Sequence, residues 1–230
     1  MATTQEKILT AACAVFAQHG YHAAKTQDIC SLADANVASI SYYFRGKANL
    51  YLAVWEDLFQ GEAVRLNREL QRSPDAREKL CSLIRTSVQS IVGDGRMSCF
   101  AKIVHYETSS PSPLHLELMS RYLEPIQGWF TAVIADYLGP LTDDKTLKCC
   151  LLCVHGPLLD LMNFRLKWER LQQDSNLRQH PLYNLRPAFM DNPEPLIAQM
   201  QKYSLGGLDA FRSTAAAPAV GQKTPAGGLL

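Results

Sequence analysis

The sequence predicts an all-α protein in two parts, a small amino-terminal three-helix unit followed by a larger helical bundle. Three observations predict it. Apolar residues recur at helical spacing along nearly the whole chain, capping and stop residues fall where those patterns begin and end, and no segment alternates with the period of a strand. No internal repeat is present, so the helices belong to a globular bundle and not to a solenoid.

Thr3 and Glu6 have the spacing of a capping box, and Ile8, Ala12, Val15 and Phe16 then share one helical side until Gly20 stops the helix. Thr26 is expected to cap a second helix, with Asp28 favourable at its positive end and Ile29, Leu32 and Ala33 turned inward. That helix ends after two turns at Ala33-Asp34-Ala35-Asn36. A third short helix, Val37 to Phe44, places Ile40 and Phe44 one turn apart for the core.

From Lys47 a longer pattern runs through Leu50, Val54 and Leu58 to about Gln71. Ser73-Pro74 is expected to cap and open the next helix, whose inner face carries Leu80, Leu83, Ile84, Ser87, Val88 and Ile91. Gly93-Asp94-Gly95 reads as a turn, Ser98 to Glu107 as a short helix, and Ser109 to Pro113 as a loop. Leu114 to Leu138 reads as one long amphipathic helix broken by Gly139-Pro140.

Thr142 is expected to cap the following helix, whose run from Cys149 to Val154 continues through Leu158, Leu159, Leu161, Met162 and Phe164. Apolar on nearly every side, it must be covered all round. Gly156-Pro157 predicts a kink there, or a break between two helices, because proline removes a backbone hydrogen bond and crowds the preceding turn. Residues 168 to 192 read as a polar, proline-bearing loop and Pro195 to Phe211 as a last helix weakened by Gly206-Gly207. From Ser213 the chain is Ala, Pro and Gly with little to pack, which predicts disorder.

Composition narrows the class. The 230 residues are 47% hydrophobic and 20% charged, the usage of globular proteins. No run approaches about 18 consecutive apolar residues and no basic-then-apolar leader is present, so a cytoplasmic chain with no membrane partner is expected. Seven cysteines (Cys13, Cys30, Cys81, Cys99, Cys149, Cys150, Cys153) are an odd, scattered set, most of them read as buried packing thiols. No second pair of ligands stands at a zinc spacing beside Cys149 and Cys153, so no metal and no cofactor is expected. The net charge of +1 says little about partners, and residues 1–50 hold four basic against three acidic side chains. That is a weak basic footprint, though two subunits double it.

Two short helices joined by a tight turn and packed on a longer first helix make a helix-turn-helix, whose second short helix enters the major groove of DNA. On the third helix Ala38, Ser39, Ser41 and Tyr42 point away from Ile40 and Phe44. Small hydroxyls allow close approach to bases, and a tyrosine hydroxyl reaches phosphate.

The segment from Ala33 to Phe44, followed by Arg45-Gly46-Lys47-Ala48-Asn49-Leu50-Tyr51, resembles the TetR signature of a short recognition helix, an aromatic pair, Phe, and a lysine opening the fourth helix. Phe16, Gly20 and Thr26 also stand where that family places them. The resemblance implies that Thr26 binds a phosphate through its hydroxyl and the amino-terminal dipole of its helix, with Gln27 beside it on phosphate or base. It implies Ala38, Ser39 and Ser41 in the groove, Tyr42 and Tyr43 on backbone oxygens, and Lys47 neutralising a phosphate. Asp34 stands where the family turn often has Gly, Ser41 where Tyr is common, and Val37 where a polar residue is frequent; these departures bear on base preference.

Beyond residue 50, Asn49 to Ala53, Phe100 to Glu107 and His155 to Arg165 are similar to the branch with a CerR-type carboxy-terminal domain. The resemblance implies a small-molecule effector and a homodimer built from the last two long helices, Leu147 to Arg165 and Pro195 to Phe211. The chain then divides into a DNA-binding domain (1–48), a ligand-binding and dimerisation domain (49–211) and a disordered tail (212–230). Pocket candidates are His105, Tyr106 and Glu107, Tyr122 and Trp129 on the long helix, and His155, Asn163 and Arg165 on the penultimate one. Each has a plainer reading as a hydrogen-bonded core residue or an ion-pair partner. The expected function is a ligand-responsive repressor of a palindromic double-stranded operator. The alternative is a helical adaptor that keeps the helix-turn-helix shape without binding DNA. A bundle enzyme would need convergent catalytic groups, and the His-x-Glu pairs at His105 and His115 point to different helix sides; no catalytic residue is assigned.

Overall fold

The computed structural model describes residues 2–173 and 187–215. Among them the chain is helical and has no strand: α1 (Thr4–Ala23), α2 (Thr26–Ala33), α3 (Val37–Phe44), α4 (Lys47–Arg72), α5 (Ala76–Val92), α6 (Arg96–Ser109), α7 (His115–Leu118), α8 (Glu124–Leu138), α9 (Asp144–Gln173) and α10 (Glu194–Ala215). The expected Thr3–Glu6 capping box is present in both directions, so α1 begins with two of its free N–H groups satisfied. Gly20 sits at φ 70°, where a side chain would be strained, and the regular helix gives way there.

Three caps lie one or two residues from where they were expected. Lys25, not Thr26, is the N-cap of α2, and Thr26 is its first helical residue. Asp75, not Ser73, caps α5 by accepting the N–H of Glu78 at 2.8 Å, while the Ser73 hydroxyl turns back to Glu69 O and to Ser82. Asp143, not Thr142, accepts the N–H of Thr146 at 3.0 Å to open α9. In the last two cases an aspartate stood one or two residues past the residue expected to cap, and its charged acceptor gains more from the helix dipole than a hydroxyl does.

The long helix expected from Leu114 to Leu138 is interrupted by a π-helical turn, Met119–Leu123. Pro125 explains it: its ring lacks the N–H owed to the carbonyl of Arg121 and crowds that carbonyl, so the turn before it widens. α9 by contrast stays one helix through Pro157, and it runs to Gln173, so residues 168–173 are helical where a loop was expected. The rest of that loop up to 186 lies outside the described residues, and Ala188–Met190 is a single 3-10 turn. α10 continues through Gly206-Gly207 and past Ser213; residues 216–230 lie outside the described residues.

Two buried clusters hold the helices together. The first joins α1 to α3 and the start of α4 through Ile8, Phe16, Ile29, Ile40, Phe44, Tyr51 and Trp55, and it takes in Phe100, Ile103, Leu118 and Tyr122 from later helices. The second joins the end of α4 to α5, α8, α9 and α10 through Leu66, Leu83, Val88, Ile134, Val154 and Ile197. The amino-terminal helices therefore share a core with α6 and do not swing as a separate bead. Ser87, expected on the inner face of α5, is only half-buried, and Thr86 and Ser90 are the buried polar residues there. α9 is, among the described residues, the one helix long and apolar enough to cross a membrane, yet it packs on α5, α6, α8 and α10 and holds Arg165 inside the fold.

Candidate functional site

The turn between α2 and α3 is built by its own side chains. Asp34 takes the left-handed conformation (φ 50°) at the end of α2, and Asn36 opens α3 by accepting the N–H of Ala38 at 3.0 Å. Asn36 was not singled out from the sequence, although an Asn directly before a helical run is a cap signal. Ile40 and Phe44 anchor α3 in the first core, while Ala38, Ser41, Tyr42 and Tyr43 are exposed and Ser39 is half-buried. Tyr42 is 81% exposed and packs edge-on to Tyr43, with ring centroids 4.9 Å apart. An aromatic side chain this open on a short anchored helix is available to a partner.

Thr26 is half-buried at the start of α2 and Gln27 beside it is exposed, next to the free N–H groups of the first turn. Lys47 opens α4 with its Nζ 4.7 Å from the centre of the Tyr21 ring and 3.5 Å from His22 O. Partial burial holds its pKa below the ordinary lysine value. Arg45 is exposed in the left-handed conformation (φ 59°) between α3 and Lys47. Leu32, expected to face inward, is 62% exposed, because α2 buries only Ile29, Cys30 and Ala33 against α1.

The pocket candidates scatter. Tyr106 lies on α1, its ring 2.9 Å from where a Cβ on Gly20 would be and its hydroxyl donating to Gln18 O at 2.8 Å. The glycine is thus required by close packing as well as by its φ. Glu107 is buried, and its carboxylate accepts from Tyr51 Oη at 3.0 Å, from Ser112 N at 2.8 Å and from Ser112 Oγ at 3.0 Å, with His115 Nδ1 at 3.2 Å. This network ties α4 to the end of α6 and to the segment before α7. Arg165 bonds Glu169 at 2.6 Å, Asp94 at 3.2 Å and the carbonyls of Val92 and Gly93, so its guanidinium clamps α9 to the α5–α6 turn. Tyr122 stacks on Trp55 and donates to Glu56 at 2.8 Å.

His155 is edge-on to Phe130 at 4.4 Å, and burial lowers its pKa; Trp129 packs against the same second core, and Asn163 is half-buried further along α9. The structure brings His155 and Trp129 to one core and sets Tyr106 and Glu107 at the junction with α1 and α4. His105 lies on α6 with burial and then the Arg170 charge lowering its pKa. Among the described residues no cluster of three His, Cys, Asp or Glu is placed to hold a metal.

The outer face of α9 carries Cys149, Leu152, Gly156, Leu159 and Asn163 at the alternating three- and four-residue spacing of a helix–helix seam. Leu152 is 69% and Leu159 58% exposed, and an apolar groove between α9 and α10 is lined by Cys149, Cys153, Tyr203, Gly207, Leu208 and Phe211.

Residues 8–54 match the family model of bacterial regulatory proteins of the tetR family, and residues 76–192 match that of the carboxy-terminal domain of the HTH-type transcriptional dual regulator CecR. The branch expected above under the name CerR is the CecR one. The chain is 28% identical over 178 residues to the CecR regulator of Shigella flexneri, covering 73% of this chain and 78% of that protein. Among solved structures it resembles a TetR-family transcriptional regulator from Streptomyces coelicolor, with a TM-score of 0.65 and 16% identity over 91% of this chain and 96% of that one. It also resembles the regulator FadR from Bacillus subtilis in complex with stearoyl-CoA, with a TM-score of 0.59 and 15% identity over 90% of this chain and 97% of that one. These two likenesses concern the fold.

Proposed function

The chain belongs to the tetR family of bacterial regulatory proteins and carries a CecR-type carboxy-terminal domain, and from that premise we propose that it is a one-component repressor, a homodimer released from its operator by a small-molecule effector. That it is a DNA-binding transcriptional regulator follows from the family. The observation that carries the DNA-contact part of this reading is α3 itself, anchored by Ile40 and Phe44 with Tyr42 and Ser41 turned to solvent.

In this reading residues 1–48 read DNA and 49–211 bind effector and dimerise. Ala38, Ser39 and Ser41 meet base edges, Tyr42, Tyr43 and Lys47 meet the sugar–phosphate backbone, and Thr26 with Gln27 offers the amino terminus of α2 to a phosphate. The α9 stripe and the α9–α10 groove pair with a second copy, setting two recognition helices roughly 34 Å apart for successive major grooves. The fold neighbour solved in complex with stearoyl-CoA supports a small-molecule effector, and Trp129 and His155, brought to the second core, are the candidates kept for its pocket.

The test is selection of duplexes from a random pool by the purified full chain, followed by titration of the enriched sequence across salt concentrations. A two-fold symmetric sequence bound with a steep fall in affinity with salt is expected. No duplex retained even at low salt would instead make the chain an adaptor.

A further inference from the structure

Cys13 on α1 and Cys99 on α6 face each other across the seam that joins the DNA-reading helices to the rest of the chain. The register of that seam places them. Gly20 lies against the ring of Tyr106, Tyr106 bonds Gln18 O at 2.8 Å, and His22 Nε2 is 2.9 Å from Pro111 O, so the two helices advance together. Cys13 is seven residues before Gly20, and Cys99 is seven residues before Tyr106. Seven residues are about two helical turns, which returns both side chains to the same face at the same level. Cys13 is part of the first core and Cys99 packs against that same core, close enough for each thiol to shift the ionisation of the other.

The surroundings of the two sulfurs differ. Cys13 is buried in the first core, whereas Cys99 is half-buried at its edge. Arg96 and Lys102 stand one turn to either side of Cys99 on α6, and Glu169 of α9, bonded to Lys102 at 2.9 Å, opposes them. Arg96 is itself paired with Asp57 of α4.

We propose that Cys13 and Cys99 are a peroxide-responsive thiol pair that closes into a disulfide linking α1 to α6. The Cys99 thiolate attacks one oxygen of a hydroperoxide, the O–O bond breaks, and Cys99 becomes a sulfenic acid while the leaving oxygen takes up a proton as water or an alcohol. The Cys13 sulfur then attacks the sulfenic sulfur, the S–S bond forms, and the S–O bond breaks with the oxygen leaving as water and carrying the Cys13 proton. Two thiols give up two electrons and the peroxide accepts them. The hydrogen bond from Cys13, helped by Lys102 and Arg96 against burial, brings the Cys99 pKa down to about 7, so roughly half is thiolate at neutral pH. The same contact and burial push the Cys13 thiol up, which keeps it the protonated, resolving partner. Closure to an S–S length of about 2.05 Å pins the first helix of the DNA-reading unit to α6.

The experiment exposes the reduced full chain to hydrogen peroxide under native conditions, blocks free thiols, and maps the peptides by mass spectrometry. A Cys13–Cys99 linked peptide is expected, with Cys149 and Cys153 on α9 still reduced and alkylated once the chain is denatured for blocking. Cys13→Ser keeps a hydrogen-bond donor but cannot close the bridge, so Cys99 accumulates as a sulfenic acid trapped by a diketone reagent. Its iodoacetamide titration keeps a midpoint near 7. Cys13→Ala removes the donor, the midpoint climbs towards the ordinary 9.0, and the alkylation rate at pH 7 falls about tenfold. Oxidation that consumes Cys149 and Cys153 while Cys13 and Cys99 remain alkylatable overturns the proposal, and so does a Cys99 titration identical in the parent and Cys13→Ala.

Discussion

Replacing Leu152 and Leu159 together by glutamate tests the proposed seam on the outer face of α9. Leu152 exposes 69% and Leu159 58% of its surface in the single chain. Fully burying a leucine contributes about 2 kcal/mol, so these exposed fractions are worth a little over 1 kcal/mol each. A two-fold axis counts each twice, which gives roughly 5 kcal/mol for four side chains. At about 1.4 kcal/mol per tenfold, the dimer dissociation constant should rise by three orders of magnitude or more, since four carboxylates also enter the seam. The isolated chain should melt within about 0.5 kcal/mol of the parent, because both positions face solvent there. Sedimentation velocity over a dilution series reads the first quantity and a thermal melt at low concentration the second. Leu32→Glu, exposed on α2, is the control that leaves association unchanged. A doubly substituted chain that stays dimeric at nanomolar concentration would place the seam elsewhere.

Tyr42→Ala and Lys47→Ala are each expected to weaken operator binding with the dimer intact; Lys47→Ala should lower the slope of log affinity against log salt by about two, one phosphate per half-site. Unchanged affinity in both would move the DNA face off α3. Glu107→Leu leaves the buried Tyr51 hydroxyl and the Ser112 N–H without their acceptor, costing about 3 kcal/mol and lowering Tm by roughly 10 °C in a melt followed by circular dichroism. Burial lowers the pKa of both His155 and His105 below the ordinary 6.5, so the unfolded chain binds more protons as the pH falls. Their contribution to stability is present above about pH 6.5 and is lost as the pH drops through the folded values. Denaturant titrations from pH 7.5 to 5 should show the loss, and His155→Phe should flatten it; an unchanged pH slope in that variant would contradict the assignment.

What the sequence revealed was whatever depends on near neighbours. The capping box at Thr3, the bounds of α3 and the anchors Ile40 and Phe44 follow from residues within a turn or two of each other, and all hold. Caps failed by one or two residues because capping is decided by which residue leaves the helical φ/ψ region, and at α5 and α9 a nearby aspartate took that place from the hydroxyl residue. Leu32 failed because a helix of eight residues has too few turns to fix which apolar side chain meets α1. For Glu107 and Arg165 the plainer reading, a hydrogen-bonded core residue and an ion-pair partner, holds, and Arg165 finds Glu169 one turn away. Their distant partners, Tyr51 for one and the α5–α6 turn for the other, were out of reach of local spacing. Local spacing puts His105 and Glu107, and likewise His115 and Glu117, on different helix sides, and only the fold sets His115 against Glu107.

Those long-range contacts converge on α6. Along one side it holds α1 through the Cys13–Cys99 and Gly20–Tyr106 contacts, and at its end Glu107 holds Tyr51 of α4. On its other side Lys102 bonds Glu169, which also bonds Arg165, and Arg165 grips the turn from which α6 starts. Arg170 of α9 reaches the Tyr106 ring itself at 5.9 Å. A helix fixed this way cannot follow α9 without carrying α1, because packed cores resist compression. Since α9 also bears the stripe proposed to meet a second copy, the proposed reading makes a shift of α9 against that copy and a shift of α3 on an operator one displacement. Whatever biases the first by differential affinity must bias the second by the same free energy.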